Sequence, residues 1–131
     1  TLGTFKVPDV ANEPFKHYPP GSPERAALRA ALDKMIATEH TVPCIVGGQE
    51  IETGNIEHQV MPTRHQHKLC SFHTADEDTF LAAASAAMDA RKDWAEMPLE
   101  DRLAIFLKAA DLLSTKYRAE LCAAVMLGTG K

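Results

Sequence analysis

The side chains best suited to chemistry lie close together in the middle of the chain. His65, His67, Cys70 and His73 form the spacing H-x-H-x₂-C-x₂-H, with His58 just upstream. Imidazole and thiolate are ligand types that zinc and other first-row metals select. The spacing matches none of the usual zinc patterns. Successive side chains on a strand also alternate between faces, so four ligands this close cannot all meet one ion. The cluster reads as a surface strand and turn, and no metal ligand is assigned.

A second candidate is Gly128-Thr129-Gly130-Lys131, which invites a phosphate-loop reading. Such a loop needs a glycine five residues before its Gly-Lys pair, and Val125 stands there. The glycines read instead as a helix stop. Cys122 falls on the apolar side of a helix, where cysteine behaves as a small buried hydrophobe. Cys70 has no recognisable activating neighbour. Trp94 reads as core or interface packing, and Met88, Met97 and Met126 as helical core positions. No catalytic, cofactor-binding or metal-binding residue is assigned.

The elements that carry these residues follow from local chemistry. Residues 1–21 hold Pro8, Pro14, Pro19 and Pro20, which forbid a useful helix and predict an extended arm. Its apolar Leu2, Phe5, Val7, Val10 and Phe15 predict an arm that lies on a surface. Ser22-Pro23-Glu24 starts a helix, assigned to 22–40: a capping hydroxyl, a proline at the first position and a carboxylate at the positive end of the dipole. Leu28, Ala31, Leu32 and Met35 give it an apolar face. Gly47-Gly48 between Cys44–Val46 and Gln49–Ile51 is a two-residue hairpin signal. Extended stretches near Glu57–Met61 and Lys68–Phe72 flank a polar turn, Pro62–Gln66, and complete a β-region over 41–73. A helical part, 74–131, opens with a capping box at Thr74-Ala75-Asp76-Glu77. Its first helix carries Phe80, Leu81, Ala84 and Met88 and ends by Met97. Pro98 opens a second, with Leu103, Phe106, Leu107, Ala110 and Leu113 on its apolar face. These two faces are expected to pack together, making Phe106 a core residue. A short last helix runs from Arg118 to about Leu127, stopped by Gly128 and Gly130.

Composition narrows the classes. The 131 residues carry 14 Lys+Arg, 18 Asp+Glu and a net charge of −4, which argues against nucleic-acid binding through a basic surface. The apolar runs are far shorter than the roughly 18–20 residues of a membrane span, so no membrane partner is expected. Three cysteines do not make a disulfide framework and point to a reducing compartment. Thr1–Gly21 has neither a secretory nor a transit-peptide pattern, and a start at Thr1 suggests a processed or trimmed product.

One set of residues resembles a known family. A hairpin is followed by Pro62 and a strand, then Thr74-Ala75 opens an alanine-rich helix closing on Trp94. Arg102, Phe106-Leu107, Ala109-Ala110-Asp111-Leu112-Leu113, Glu120-Leu121 and Thr129-Gly130-Lys131 come next. This order is similar to the amino-terminal segment of the aldehyde dehydrogenase superfamily. Finer matches point to the branch acting on L-glutamate γ-semialdehyde. They are Val10-Ala11-Asn12-Glu13-Pro14, Gly21-Ser22-Pro23-Glu24-Arg25, Ile45-Val46-Gly47, Pro62 with His65-x-His67-Lys68, Ala90-Arg91-Lys92-x-Trp94, Ile105–Asp111 and Met126-Leu127-Gly128-x-Gly130-Lys131. Thr129 departs from that branch, which usually has glutamine, although wider family members carry threonine.

The resemblance implies an α+β segment of a larger α/β enzyme. It would comprise about four helices, two or three short strands and a crossed helix pair from the amino-terminal part of an NAD-binding domain. It implies thiolate attack on an aldehyde, hydride transfer to NAD and hydrolysis of the thioester to glutamate, in proline catabolism. It places the catalytic cysteine, the general base, the oxyanion-hole asparagine and the NAD contacts beyond Lys131, so this chain alone is expected to be inactive and not to bind NAD. The expected partner is the remainder of the same enzyme, a homo-oligomer at full length, in the mitochondrial matrix. The alternatives are a stand-alone helical interaction module, a truncated product without catalysis, and a small metal-binding protein.

Overall fold

The structure is a computed structural model that describes Asp9 and residues 11–131. The expectation for Leu2, Phe5, Val7 and Val10 lies outside the described residues. Helix α1 spans Pro23–Ala37, with Ser22 Oγ accepting the Arg25 amide at 3.3 Å. Strands β1 (His40–Val42), β2 (Cys44–Val46), β3 (Gln49–Ile51), β4 (Ile56–Met61) and β5 (Arg64–His73) follow. Helices α2 (Glu77–Glu96), α3 (Leu99–Ser114) and α4 (Arg118–Thr129) complete the chain. The β2–β3 hairpin turns through Gly47 and Gly48, both at positive φ, as its two-residue turn requires.

The described residues contain five strands, above the two or three expected from the resemblance and one more than the four extended stretches read from the sequence. The unexpected one, β1, pairs in parallel with β5, setting His40 opposite Cys70 and Val42 opposite Phe72. A pairing this distant in sequence leaves no local signal. On its other side β5 pairs antiparallel with β4, giving a sheet of order β1-β5-β4. The turn between β4 and β5 is only Pro62-Thr63, and Arg64 already pairs with Met61. The next pair is Val60 with Lys68, so His65, Gln66 and His67 are accommodated as an irregularity in the strand, not as the turn that their polarity suggests.

Three helix boundaries also move. Thr74 does not cap α2, because its amide and hydroxyl both bond the Asn55 carbonyl, at 2.8 and 3.1 Å, tying the end of β5 to the loop before β4. Asp76 caps instead: its Oδ1 accepts the Thr79 amide at 2.8 Å and the Thr79 hydroxyl at 2.6 Å. Pro98 is the cap of α3 rather than its first residue. Gly128 lies inside α4, and Gly130, left-handed at φ 73°, is the stop.

The packed half of the chain is α1 against α4, with the end of α4 over β4. Ala31, Met61, Ala123 and Leu127 are buried there. Helix α2 leans on the hairpin, where a β-carbon at Gly47 would lie 3.7 Å from that of Ala86. The expected packing of the α2 and α3 apolar faces is not formed. Phe80 is 68% exposed, Met88 61% and Phe106 63%. Phe106 meets only the corner of that arrangement, edge to face with Trp94 at 6.5 Å between ring centres. Met88 is therefore not a core residue within this chain, and Trp94 is partly exposed. Phe15, also exposed, does not lie on the surface beneath the arm. The accessible surface is 10320 Å², against about 6,800 Å² for a self-contained globule of this mass. The stripes on α2 and α3 are thus left uncovered by the described residues.

Candidate functional site

Strand pairing brings together a row of polar side chains that the sequence does not announce. Ser71 on β5 stands opposite His58 on β4. The Ser71 hydroxyl donates to Glu39 Oε1 at 2.8 Å, and its oxygen lies 3.0 Å from His58 Nδ1. With the serine proton committed to Glu39, Nδ1 is the donor to Ser71. That leaves His58 Nε2 to accept from Lys68 Nζ at 3.5 Å. Protons thus point along the row from the ammonium to the carboxylate. Hydrolysis would need the serine proton aimed at the imidazole. The row is an exposed electrostatic tie across the sheet and does not supply an activated nucleophile.

The histidine–cysteine cluster is dispersed. His58 belongs to that row, and His73 Nδ1 accepts the Gly54 amide at 3.2 Å. His67 is half-buried in β5, with Nε2 enclosed and unpartnered among the described residues. Cys70 lies on the face of β5 opposite Ser71. Among the described residues no three His, Cys, Asp or Glu side chains are grouped to hold an ion. Cys44 Sγ donates to the His73 carbonyl at 3.3 Å. Cys122 is half-buried and lines an open groove with Tyr18, Leu28 and Met126.

The Gly128–Lys131 segment does not fit a dinucleotide. It sits at the C-terminal end of α4, where unpaired carbonyls carry the negative end of the helix dipole. A pyrophosphate needs the opposite end, with its free amides. Gly130 is a left-handed stop and Gly128 is helical.

The arm is held by charge. Glu13 pairs with Arg118 at the start of α4, and the Tyr18 carbonyl lies 3.4 Å from Arg25 on α1. The Glu13 carboxylate first, and Tyr18 next, keep the Arg118 proton bound more tightly than usual. The Glu13–Arg118 anchor joins residues about a hundred positions apart and has no sequence signal.

Architecture and site together describe an α+β piece of an enzyme fold, with apolar helix faces open and no assembled redox centre among the described residues. The family model described as "Aldehyde dehydrogenase family" matches residues 50–131, and the chain belongs to that family. It is 53% identical over 131 residues to a Delta-1-pyrroline-5-carboxylate dehydrogenase of Agaricus bisporus, covering 99% of this chain and 24% of the relative. It is 46% identical over 122 residues to the mitochondrial Delta-1-pyrroline-5-carboxylate dehydrogenase of Homo sapiens, covering 93% of this chain and 22% of that protein. The fold is similar to the Delta-pyrroline-5-carboxylate dehydrogenase of Mycobacterium tuberculosis solved with NAD bound. The TM-score is 0.90 at 39% identity, over 95% of this chain and 24% of that one. The chain thus spans about a quarter of the length of the relatives that it matches.

Proposed function

We propose that this chain is the amino-terminal part of an NAD-dependent dehydrogenase that oxidises L-glutamate γ-semialdehyde, formed from Δ1-pyrroline-5-carboxylate, to glutamate in proline catabolism. The observation that carries this reading is 53% identity to a protein of that name across almost the whole chain. NAD is the proposed cofactor of the full-length enzyme, supported by the relative solved with it. The Gly128–Lys131 segment offers no helix N-terminus for its pyrophosphate, and its contacts and the catalytic groups are proposed to lie in the rest of the polypeptide. The proposed compartment is the mitochondrial matrix, supported at the level of the organelle by mitochondrial relatives.

The role of the chain itself is structural. Helices α2 and α3 cover one flank of the nucleotide-binding part, and the arm straps α1 to α4. The surface left open by α2 and α3 supports this role. Full-length homo-oligomers, with neither nucleic acid nor membrane as partner, complete the proposal. The test is NADH formation by the full-length protein with pyrroline-5-carboxylate beside short aliphatic aldehydes. Preference for pyrroline-5-carboxylate is expected. Preference for an aliphatic aldehyde moves the assignment to another branch of the family.

A further inference from the structure

Helix α3 carries a charge within the face that it leaves open. Residues three and four positions apart share one side of a helix. For Arg102 these neighbours are Pro98, Leu99, Ile105 and Phe106. Leu99 and Phe106 are both exposed, so Arg102 stands inside the uncovered apolar stripe. None of the four neighbours is acidic, and no ion pair among the described residues includes Arg102. The residue is half-buried, and its Nε is enclosed without a hydrogen-bond partner among the described residues. The backbone does not favour it either. Arg102 ends the first turn of α3, where the positive end of the helix dipole suits Glu100 and Asp101 but not a cation. Local chemistry therefore gives no reason for a cation at this position.

We propose that the surface covering α3 in the full-length protein presents an Asp or Glu carboxylate to Arg102, paired through Nε and one Nη. This rests on the reading above that the rest of the polypeptide covers α2 and α3. Charge selects the partner. A guanidinium stays protonated in a protein, and closing an apolar surface over it removes its water, a cost that a hydrogen-bonded counter-charge offsets. Geometry narrows the choice. Nε and the adjacent Nη make a planar fork that matches the two oxygens of one carboxylate, and the enclosed Nε is the half of that fork without a partner. A phosphate fits the same fork, but a soluble anion would leave Leu99 and Phe106 bare. A protein surface covers them and supplies carboxylates. The relatives' chains extend far beyond the matched part, which is 24% of the Agaricus bisporus protein, so such a surface has ample polypeptide to come from.

The test is a crystal structure of the full-length protein, read together with a double-mutant cycle. The structure is expected to show the α3 face covered, with Arg102 Nε and one Nη each within about 3.2 Å of the two oxygens of one Asp or Glu from outside these 131 residues. A covered face on which Arg102 meets backbone carbonyls, a bound anion, a second copy or solvent would overturn the proposal and leave the covering role standing. A bare face would overturn both. In urea titrations of the full-length protein, Arg102→Met removes the cation and leaves the carboxylate buried and unpaired, so the midpoint falls. Replacing that carboxylate by its amide in the same variant is expected to recover about half of the loss or more. Arg102→Lys keeps the charge without the fork and falls between the wild type and Arg102→Met. Additive losses in the double variant, or an Arg102→Met midpoint equal to that of the wild type, would each contradict the pairing.

Discussion

At Asp76 a single carboxylate oxygen accepts two hydrogen bonds from Thr79, side chain first and backbone second, and these hold its pKa below the usual carboxylate value. A depressed folded-state pKa contributes stability that is fully present above the unfolded value of about 3.9 and is lost as pH falls through the folded value. Hydrogen-exchange protection at the first turn of α2, relative to the intrinsic rate at each pH, is therefore expected to fall below about pH 4. Asp76→Asn keeps a good cap and loses that acid dependence, whereas Asp76→Ala frays the turn at every pH. An identical acid response in Asp76→Asn would show that another group controls this helix end. Met61 presents the contrasting case of a buried apolar side chain. Met61→Ala is expected to cost about 2–5 kcal/mol in a denaturant titration of the full-length protein, and an unchanged midpoint would contradict its core position. Residue chemistry was readable for caps, turns and glycine stops because it acts within a few positions. Thr74 shows the limit: it has the right type for a cap, but a bond to Asn55 claims it.

Among the elements, the helices and the hairpin were legible because their periodicity and turn residues are local. Strand β1 was not, since only its parallel match with β5 makes it a strand. The same long-range pairing builds the Glu39–Ser71–His58–Lys68 row, which has no sequence spacing to detect. The arm is an element held by side-chain charge rather than by a ladder. Glu13→Gln in the full-length protein is expected to speed proteolytic cleavage within residues 11–21, with less effect at higher salt because screening already weakens the pair. Equal cleavage rates at low salt would remove Glu13 from the strap.

For the whole molecule, the open stripes on α2 and α3 are the main departure from the packing that the sequence suggests. The periodicity correctly marks Phe80, Met88 and Phe106 as apolar-face residues, but it cannot say whether one helix covers the other or a more distant surface does. Phe106→Ala separates these cases. In this chain, with Phe106 63% exposed, the change is expected to be nearly neutral. In the full-length protein it is expected to cost about 3–5 kcal/mol, as for a buried aromatic. Equal small effects in both would show that nothing covers this face. The proposed division of labour makes these 131 residues scaffold and puts the redox chemistry in the rest of the polypeptide. The most direct measurement is NADH absorbance with pyrroline-5-carboxylate and NAD, recorded for this chain alone and for the full-length protein at equal molarity. The account predicts steady turnover by the full-length protein and none by the chain, and turnover by the chain alone would contradict it.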